Sequence, residues 1–207
     1  MGSYRGKRAL DLALTVPAFL VSLPVQAMVA LLIRVRLGRP VLFRQTRPGL
    51  HGQPFEMVKF RTMLPFDAAN GKTDDASRMT GLGSFLRSTS LDELPTLWHI
   101  VRGDMSLVGP RPLLMQYLVH YSPEQARRHD VRPGLTGLAQ VSGRNALTWE
   151  QKFALDTDYV ERASLRLDLR IIGRTVSSVL RRDGISASGS ATMPEFTGSN
   201  TQRTGES

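Results

Sequence analysis

The chain has 207 residues, no cysteine, 27 Lys and Arg against 18 Asp and Glu, and a formal net charge of +9. Disulfides, thiolate catalysis and thiolate metal sites are excluded, one domain with a full core is expected, and partners should be anionic. With 7% aromatic residues and two Trp there is little stacking surface for single strands, so nucleic acid is the least favoured anion and is not expected as a partner.

The first element is apolar. From Leu12 to Ile33 no charge occurs, and about 22 helical residues would reach roughly 33 Å. Its length and the lack of a small-residue cleavage site speak against a signal peptide. Pro17 and Pro24 each remove a backbone donor, and Pro24 sits near the middle, where a bend is largest. Arg5, Lys7 and Arg8 precede the run and Arg34, Arg36 and Arg39 follow it, which puts both ends on the cytoplasmic side by the positive-inside rule. The predicted element is a re-entrant helix-break-helix in one leaflet, with Ser22 and Pro24 at the break. A bitopic span with a proline kink is the competing reading.

Residues 40 to 64 alternate short apolar stretches with turn residues at Arg47-Pro48-Gly49 and His51-Gly52, predicting a small β-hairpin. Residues 65 to 80 are polar and read as a surface loop. Helices are expected over Gly83 to Arg87 and from Asp92 to Arg102, the second stopped by Gly103. The rigid connector Gly109-Pro110-Arg111-Pro112 follows. Thr148 and Gln151 have capping-box spacing for a helix to Arg162. Beyond it Leu165, Leu169, Ile172, Val176 and Leu180 form an apolar stripe, with Arg166, Arg170 and Arg174 on another face: the pattern of an interfacial helix among anionic headgroups. The sum is an α+β chain, mainly helical: a membrane hairpin over residues 1–39, a compact cytoplasmic catalytic domain with interfacial helices over 40–185, and a flexible or docked tail over 186–207.

Chemistry concentrates at Ser90-Leu91-Asp92-Glu93-Leu94-Pro95. Two adjacent carboxylates at a helix start have a capping explanation, and Ser90 and Glu93 carry capping-box spacing. Pro95 moves the expected cap to Asp92, because proline fits only where its donor was unpaired. Adjacent helical side chains diverge by about 100°, so one carboxylate could face a substrate while the other holds a cation. Cations surround the pair in sequence. Lys59 and Arg61 alternate in an expected strand, Arg87 lies just upstream, Arg111 is set between prolines, and Arg132 and Arg144 sit beside turns. Guanidinium groups on stiff loops suit phosphate oxygens.

These residues also carry a resemblance. Lys7-Arg8…Asp11, the proline-interrupted apolar run, Phe43…Gln45…Arg47-Pro48-Gly49, Lys59-Phe60-Arg61-Thr62-Met63, Ser90 to Pro95, Gly103 to Pro112 and Arg132-Pro133-Gly134-Leu135-Thr136-Gly137 resemble the bacterial sugar transferases, the small monotopic phosphoglycosyl transferases, over residues 4 to 185. Ser22 stands one position from the Ser-Pro pair usual at the family's hairpin break. The tail Phe196-Thr197-Gly198-Ser199-Asn200 is similar to the end of members that carry diacetylbacillosamine phosphate.

The resemblance implies a two-step, Mg²⁺-dependent reaction at the cytoplasmic face of the bacterial inner membrane. Asp92 would attack the β-phosphorus of a UDP-sugar, expel UMP and pass the sugar phosphate to undecaprenyl phosphate, with Glu93 serving the metal or the proton and Arg111 clamping phosphate. It implies Asp92 and Glu93 as metal ligands, the bilayer as partner, and an N-acetylated amino or diamino sugar as cargo. The alternative from another class is a non-catalytic basic peripheral membrane protein binding anionic lipid or nucleic acid, which gives the Asp-Glu pair no role.

Overall fold

The computed structural model describes residues 4–143 and 146–181, together with Phe196 and Gly198. Its longest element is α1 (Lys7–Arg36), which runs unbroken through Pro17 and Pro24. Two helices separated by a break were expected; one helix is found, long and apolar enough to cross a membrane. Pro24 leaves the Leu20 carbonyl without its helical donor. Ser22 does not serve that carbonyl: its Oγ donates to the neighbouring Phe19 O at 2.8 Å and accepts from Gln26 Nε2 at 2.9 Å.

Both ends of α1 are fastened to the rest of the chain. At its start, Arg8 donates to Ile100 O (2.5 Å) and Val101 O (2.7 Å), and Asp11 accepts from Ser106 Oγ (3.0 Å) and Leu107 N (3.1 Å). At its finish, Val29 and Ile33 pack with Phe60 and Leu86 in one apolar cluster. Leu20, Val21, Met28, Leu31 and Val35 stay exposed.

The expected hairpin is β1 (Leu42–Pro48) antiparallel to β2 (Pro54–Phe60), with Phe43 opposite Lys59. The polar stretch after it, expected as a surface loop, holds a 3-10 turn over Ala68–Asn70 and a short helix, α2 (Asp75–Arg78). Thr80 then caps α3 (Gly81–Ser88), accepting from Gly83 N at 2.9 Å. A 3-10 turn over Leu91–Thr96 leads into α4 (Leu97–Arg102), which Gly103 ends at φ 100°, as its freedom at positive φ allows.

Strands β3 (Ser106–Val108) and β4 (Gly134–Thr136) pair in parallel and bring Gly109-Pro110 against Pro133-Gly134. A Cβ on Gly134 would lie 2.1 Å from Gly109 N, so this backbone approach requires glycine. Short helices α5 (Pro123–Ala126) and α6 (Leu138–Ser142) flank β4 in sequence. The helix α7 (Trp149–Arg162) has the predicted capping box and the predicted end. Of α8 (Leu165–Arg181), the buried side is Asp168 and Ile171, while Leu165, Leu169 and Val176 are about half exposed. The stripe read from the sequence thus faces outward, apart from the partly buried Ile172; the Leu180 side chain lies outside the described residues. Most of the 186–207 tail is also outside them, but Phe196 is buried among Tyr117, Tyr121, Trp149 and Phe153, 4.9 Å from Phe153 between ring centroids.

Beside that aromatic cluster His129 is buried, its Nε2 without a hydrogen-bond partner. Burial, and then the Arg128 charge, push its pKa down to about 4. Between that value and the unfolded value of about 6.5 the unfolded chain binds the extra proton, so stability rises with pH across the window. It is full above about pH 6.5 and falls by about 3 kcal/mol as the pH drops to 4. Thermal melts of His129→Phe in detergent should show a shallower loss between pH 6.5 and 4 than wild type; an identical loss would refute the assignment to His129.

Candidate active site

The 3-10 turn that carries Asp92 and Glu93 starts one residue earlier than expected, at Leu91. Ser90 stands at the cap position with φ 56° and makes no side-chain cap bond, so neither the Ser90–Glu93 capping box nor a cap at Asp92 is formed. The turn closes by Glu93 N donating to Ser90 O at 3.2 Å. A left-handed serine costs about 1 kcal/mol, and here it immediately precedes the acidic pair. Asp92 is buried and Glu93 half-buried.

The turn is locked to the hairpin by two side chains that sequence reasoning missed. Val58 N donates to His99 Nε2 (3.1 Å), and Val58 O accepts from Thr96 Oγ1 (3.3 Å). His99 is oriented in turn by Asp104, Nδ1 to Oδ2 3.1 Å. Both backbone polar groups of Val58 are therefore held by Thr96 and by His99 of α4, just after the acidic pair, and Lys59, the next residue, feels the charge of Asp92.

Three of the nominated cations meet the carboxylates. Arg111 Nη2 donates to Glu93 Oε1 at 2.5 Å across a half-exposed pair, and the Glu93 charge holds the Arg111 pKa above its ordinary value. Lys59, Arg87 and Arg111 all act on Asp92. Arg87 is fixed by Nε to Thr62 Oγ1, 3.0 Å. Burial, followed by repulsion from Arg111, pushes the Lys59 pKa down. Burial and then the neighbouring Glu93 push Asp92 up to about 6, the three cations opposing them. Asp92 is thus largely ionised at neutral pH, desolvated, and within a cationic field: the condition of an activated carboxylate.

Arg47 joins this group without having been nominated. It donates to Gln45 Oε1 (2.6 Å) and Pro112 O (3.4 Å), and burial and then the nearby Arg111 lower its pKa. The only signal for it was the Phe43…Gln45…Arg47 pattern on β1. Four cations now stand against two carboxylates, a surplus suited to an anionic ligand.

Two of the nominated cations are engaged elsewhere. Because β2 ends at Phe60, Arg61 does not continue the alternation with Lys59; it is buried and donates to the carbonyls of Leu37, Gly38 (2.9 Å) and Arg39 (3.2 Å), clipping the end of α1. Arg132 is not among the charges acting on Asp92. It donates to Gly103 O (2.8 Å) at a cavity of about 510 Å³ shared with Tyr4, Lys7, Asp11 and Tyr159. Arg144 lies outside the described residues.

The chain is 51% identical over 168 residues to the uncharacterized sugar transferase EpsL of Bacillus subtilis, covering 81% of this chain and 83% of that one. It is 44% identical over 190 residues to the UDP-glucose:undecaprenyl-phosphate glucose-1-phosphate transferase of Caulobacter vibrioides, covering 86% and 70%. With the undecaprenyl-phosphate galactose phosphotransferase of Salmonella typhimurium it shares 36% identity over 197 residues, 86% of this chain and 41% of that one. The acidic pair, its arginines and the paired glycine motifs all fall within residues 3–182, which match the profile described as bacterial sugar transferase, and the chain belongs to that family.

Proposed function

We propose that this protein is a phosphoglycosyl transferase that moves a sugar 1-phosphate from a UDP-sugar to undecaprenyl phosphate, an initiating membrane step of glycoconjugate assembly. The observation that carries the reading is a desolvated Asp92 amid Lys59, Arg87 and Arg111, within a chain similar to transferases named for undecaprenyl phosphate. In the proposed first step an Asp92 carboxylate oxygen bonds to the β-phosphorus, and the bond from that phosphorus to the UMP oxygen breaks, UMP taking the electron pair. In the second step an oxygen of undecaprenyl phosphate attacks the same phosphorus and the carboxylate is released unchanged. Arg111 and Lys59 hold phosphate oxygens, Arg87 and Arg47 add positive field, and Glu93 keeps Arg111 in place.

The acidic pair also suits Mg²⁺. Among the described residues no group of three or more potential ligands occurs, but Mg²⁺ commonly takes one or two carboxylates and completes its shell with substrate phosphate and water. Asp92 and Glu93 would be those carboxylates, and a bound cation would relieve the repulsion that helps raise Asp92. When bound, the ion neutralises diphosphate charge and stabilises the departing UMP.

The detergent-purified chain, given Mg²⁺, undecaprenyl phosphate and a panel of UDP-sugars, should release UMP with one donor preferred. UDP-glucose, UDP-galactose and N-acetylated amino and diamino sugars belong in the panel, the last because of the tail sequence Phe196–Asn200. No UMP from any donor would overturn the assignment.

We further propose that α1 enters only one leaflet, so that both of its ends stay on the cytoplasmic face. In support, its first turns are bonded to β3 and α4 while its last turn and the Leu37–Arg39 carbonyls are bonded to the hairpin, so both ends are held by one body. The chain has no native cysteine, so Ser3→Cys and Arg39→Cys each provide a unique label. Both should react with impermeant maleimide only from the cytoplasmic side; labelling from opposite sides would establish a span.

A further inference from the structure

The corner between α7 and α8 carries charge that the acidic cluster does not use. A cavity of about 190 Å³ opens there, lined by Arg162, Ser164, Arg166, Leu167 and Arg170. Arg162 pairs with Asp158 at 3.1 Å, whereas Arg166 and Arg170 have no hydrogen-bond or ion-pair partner among the described residues. On the same helix Leu165 and Leu169 are 49% and 50% exposed. Ser164 Oγ accepts from Leu167 N at 3.4 Å and keeps its proton for donation.

The inner face of α8 shows where this corner lies. Asp168, fully buried, accepts from Tyr4 Oη at 2.8 Å and from Lys7 Nζ at 2.5 Å. Lys7 opens α1, and Tyr4 lies three residues before it. The arginines, the uncovered leucines and the beginning of the apolar helix therefore share one level of the molecule. Guanidinium groups without carboxylate partners, next to aliphatic side chains without protein cover, match a medium that is anionic at its edge and apolar just below.

We infer that Arg162, Arg166 and Arg170 bind the phosphodiester of an anionic phospholipid, with Leu165 and Leu169 against its first methylenes. This rests on α1 lying in the membrane, and it gives one anionic headgroup a defined place. Two guanidiniums can take a phosphodiester by paired N–H donors, and a zwitterionic headgroup offers the same phosphate with its charge already cancelled.

The full chain in neutral detergent is titrated with dihexanoyl phosphatidylglycerol, dihexanoyl phosphatidylcholine or inorganic phosphate, and Tm is read. Phosphatidylglycerol should raise Tm by roughly 3–5 °C at saturation, the other two far less. Arg166→Gln/Arg170→Gln should keep the lipid-free Tm and lose this rise; Arg44→Gln/Arg127→Gln, which removes as much charge elsewhere, should keep it. An equal rise with phosphatidylcholine or phosphate, or a rise that survives in the α8 variant, would overturn the proposal. UMP release in the same detergent reads the catalytic reading separately, and should be unaltered in the α8 variant. A raised KM for undecaprenyl phosphate in that variant would give the site to the acceptor substrate and overturn the phospholipid assignment.

Discussion

Asp92→Asn protein should release UMP at least about 10³-fold more slowly than wild type, with its fold intact. Asparagine keeps the size and much of the polarity of aspartate but has no anionic oxygen to bond to phosphorus. The loss should fall on kcat, because Lys59, Arg87 and Arg111 remain to bind the diphosphate. Without undecaprenyl phosphate, wild-type protein should still release UMP, one equivalent per active chain, and retain the sugar phosphate in a bond that hydroxylamine cleaves. Asp92→Asn should do neither. Glu93→Gln separates the roles of the pair: it frees Arg111 from its 2.5 Å contact and removes the charge that helps raise Asp92, so it should weaken the protein's hold on the donor and still permit labelling. Full UMP release by Asp92→Asn would end the nucleophile assignment. Label bound to Asp92→Asn would place the nucleophile elsewhere.

The legible parts of this molecule were those governed by neighbours in sequence. Thr148 and Gln151 announced the start of α7, and Gly103 the end of α4, because caps and stops depend on a few adjacent residues. That Arg111 meets the acidic pair was legible for a different reason, through a motif. What failed depended on contacts between distant segments. Arg61 was assigned to phosphate by strand alternation, but the strand stops at Phe60 and carbonyls from the end of α1 claim its guanidinium. The β3–β4 pair has three residues on each side, too few for any periodicity, and exists because Gly109 and Gly134 let two backbones touch. The stripe on α8 was read correctly as apolar, yet only the fold shows that Asp168 and Ile171 take the protein side, leaving Leu165 and Leu169 uncovered. His99 gave no signal at all: its part is to receive one backbone N–H from the strand that carries Lys59.

Arg128→Met should be the most destabilising substitution near the site. Arg128 and Asp156 form a buried pair, Nη2 to Oδ2 2.6 Å and Nε to Oδ2 3.1 Å, each at most 3% exposed. The guanidinium also lies over the rings of Tyr121 and Phe153, which pack Phe196, and Nη2 donates to Arg111 O at 2.8 Å. Methionine fills much of the volume but strands the Asp156 carboxylate, at a cost of about 3–5 kcal/mol, or roughly 10 °C in Tm for a chain of this size. Adding Asp156→Leu removes the stranded charge and should return most of that stability. It does not return the donor to the Arg111 carbonyl. The double variant should therefore melt near wild type and still turn over more slowly, since Arg111 meets Glu93 from a backbone no longer held on that side. Recovery of both Tm and kcat in the double variant would make Arg128 purely structural, and an unchanged Tm in Arg128→Met would refute the stabilising role of the pair. The expected split makes Arg128 a positioning residue through which the aromatic cluster holding Phe196 bears on the phosphate clamp.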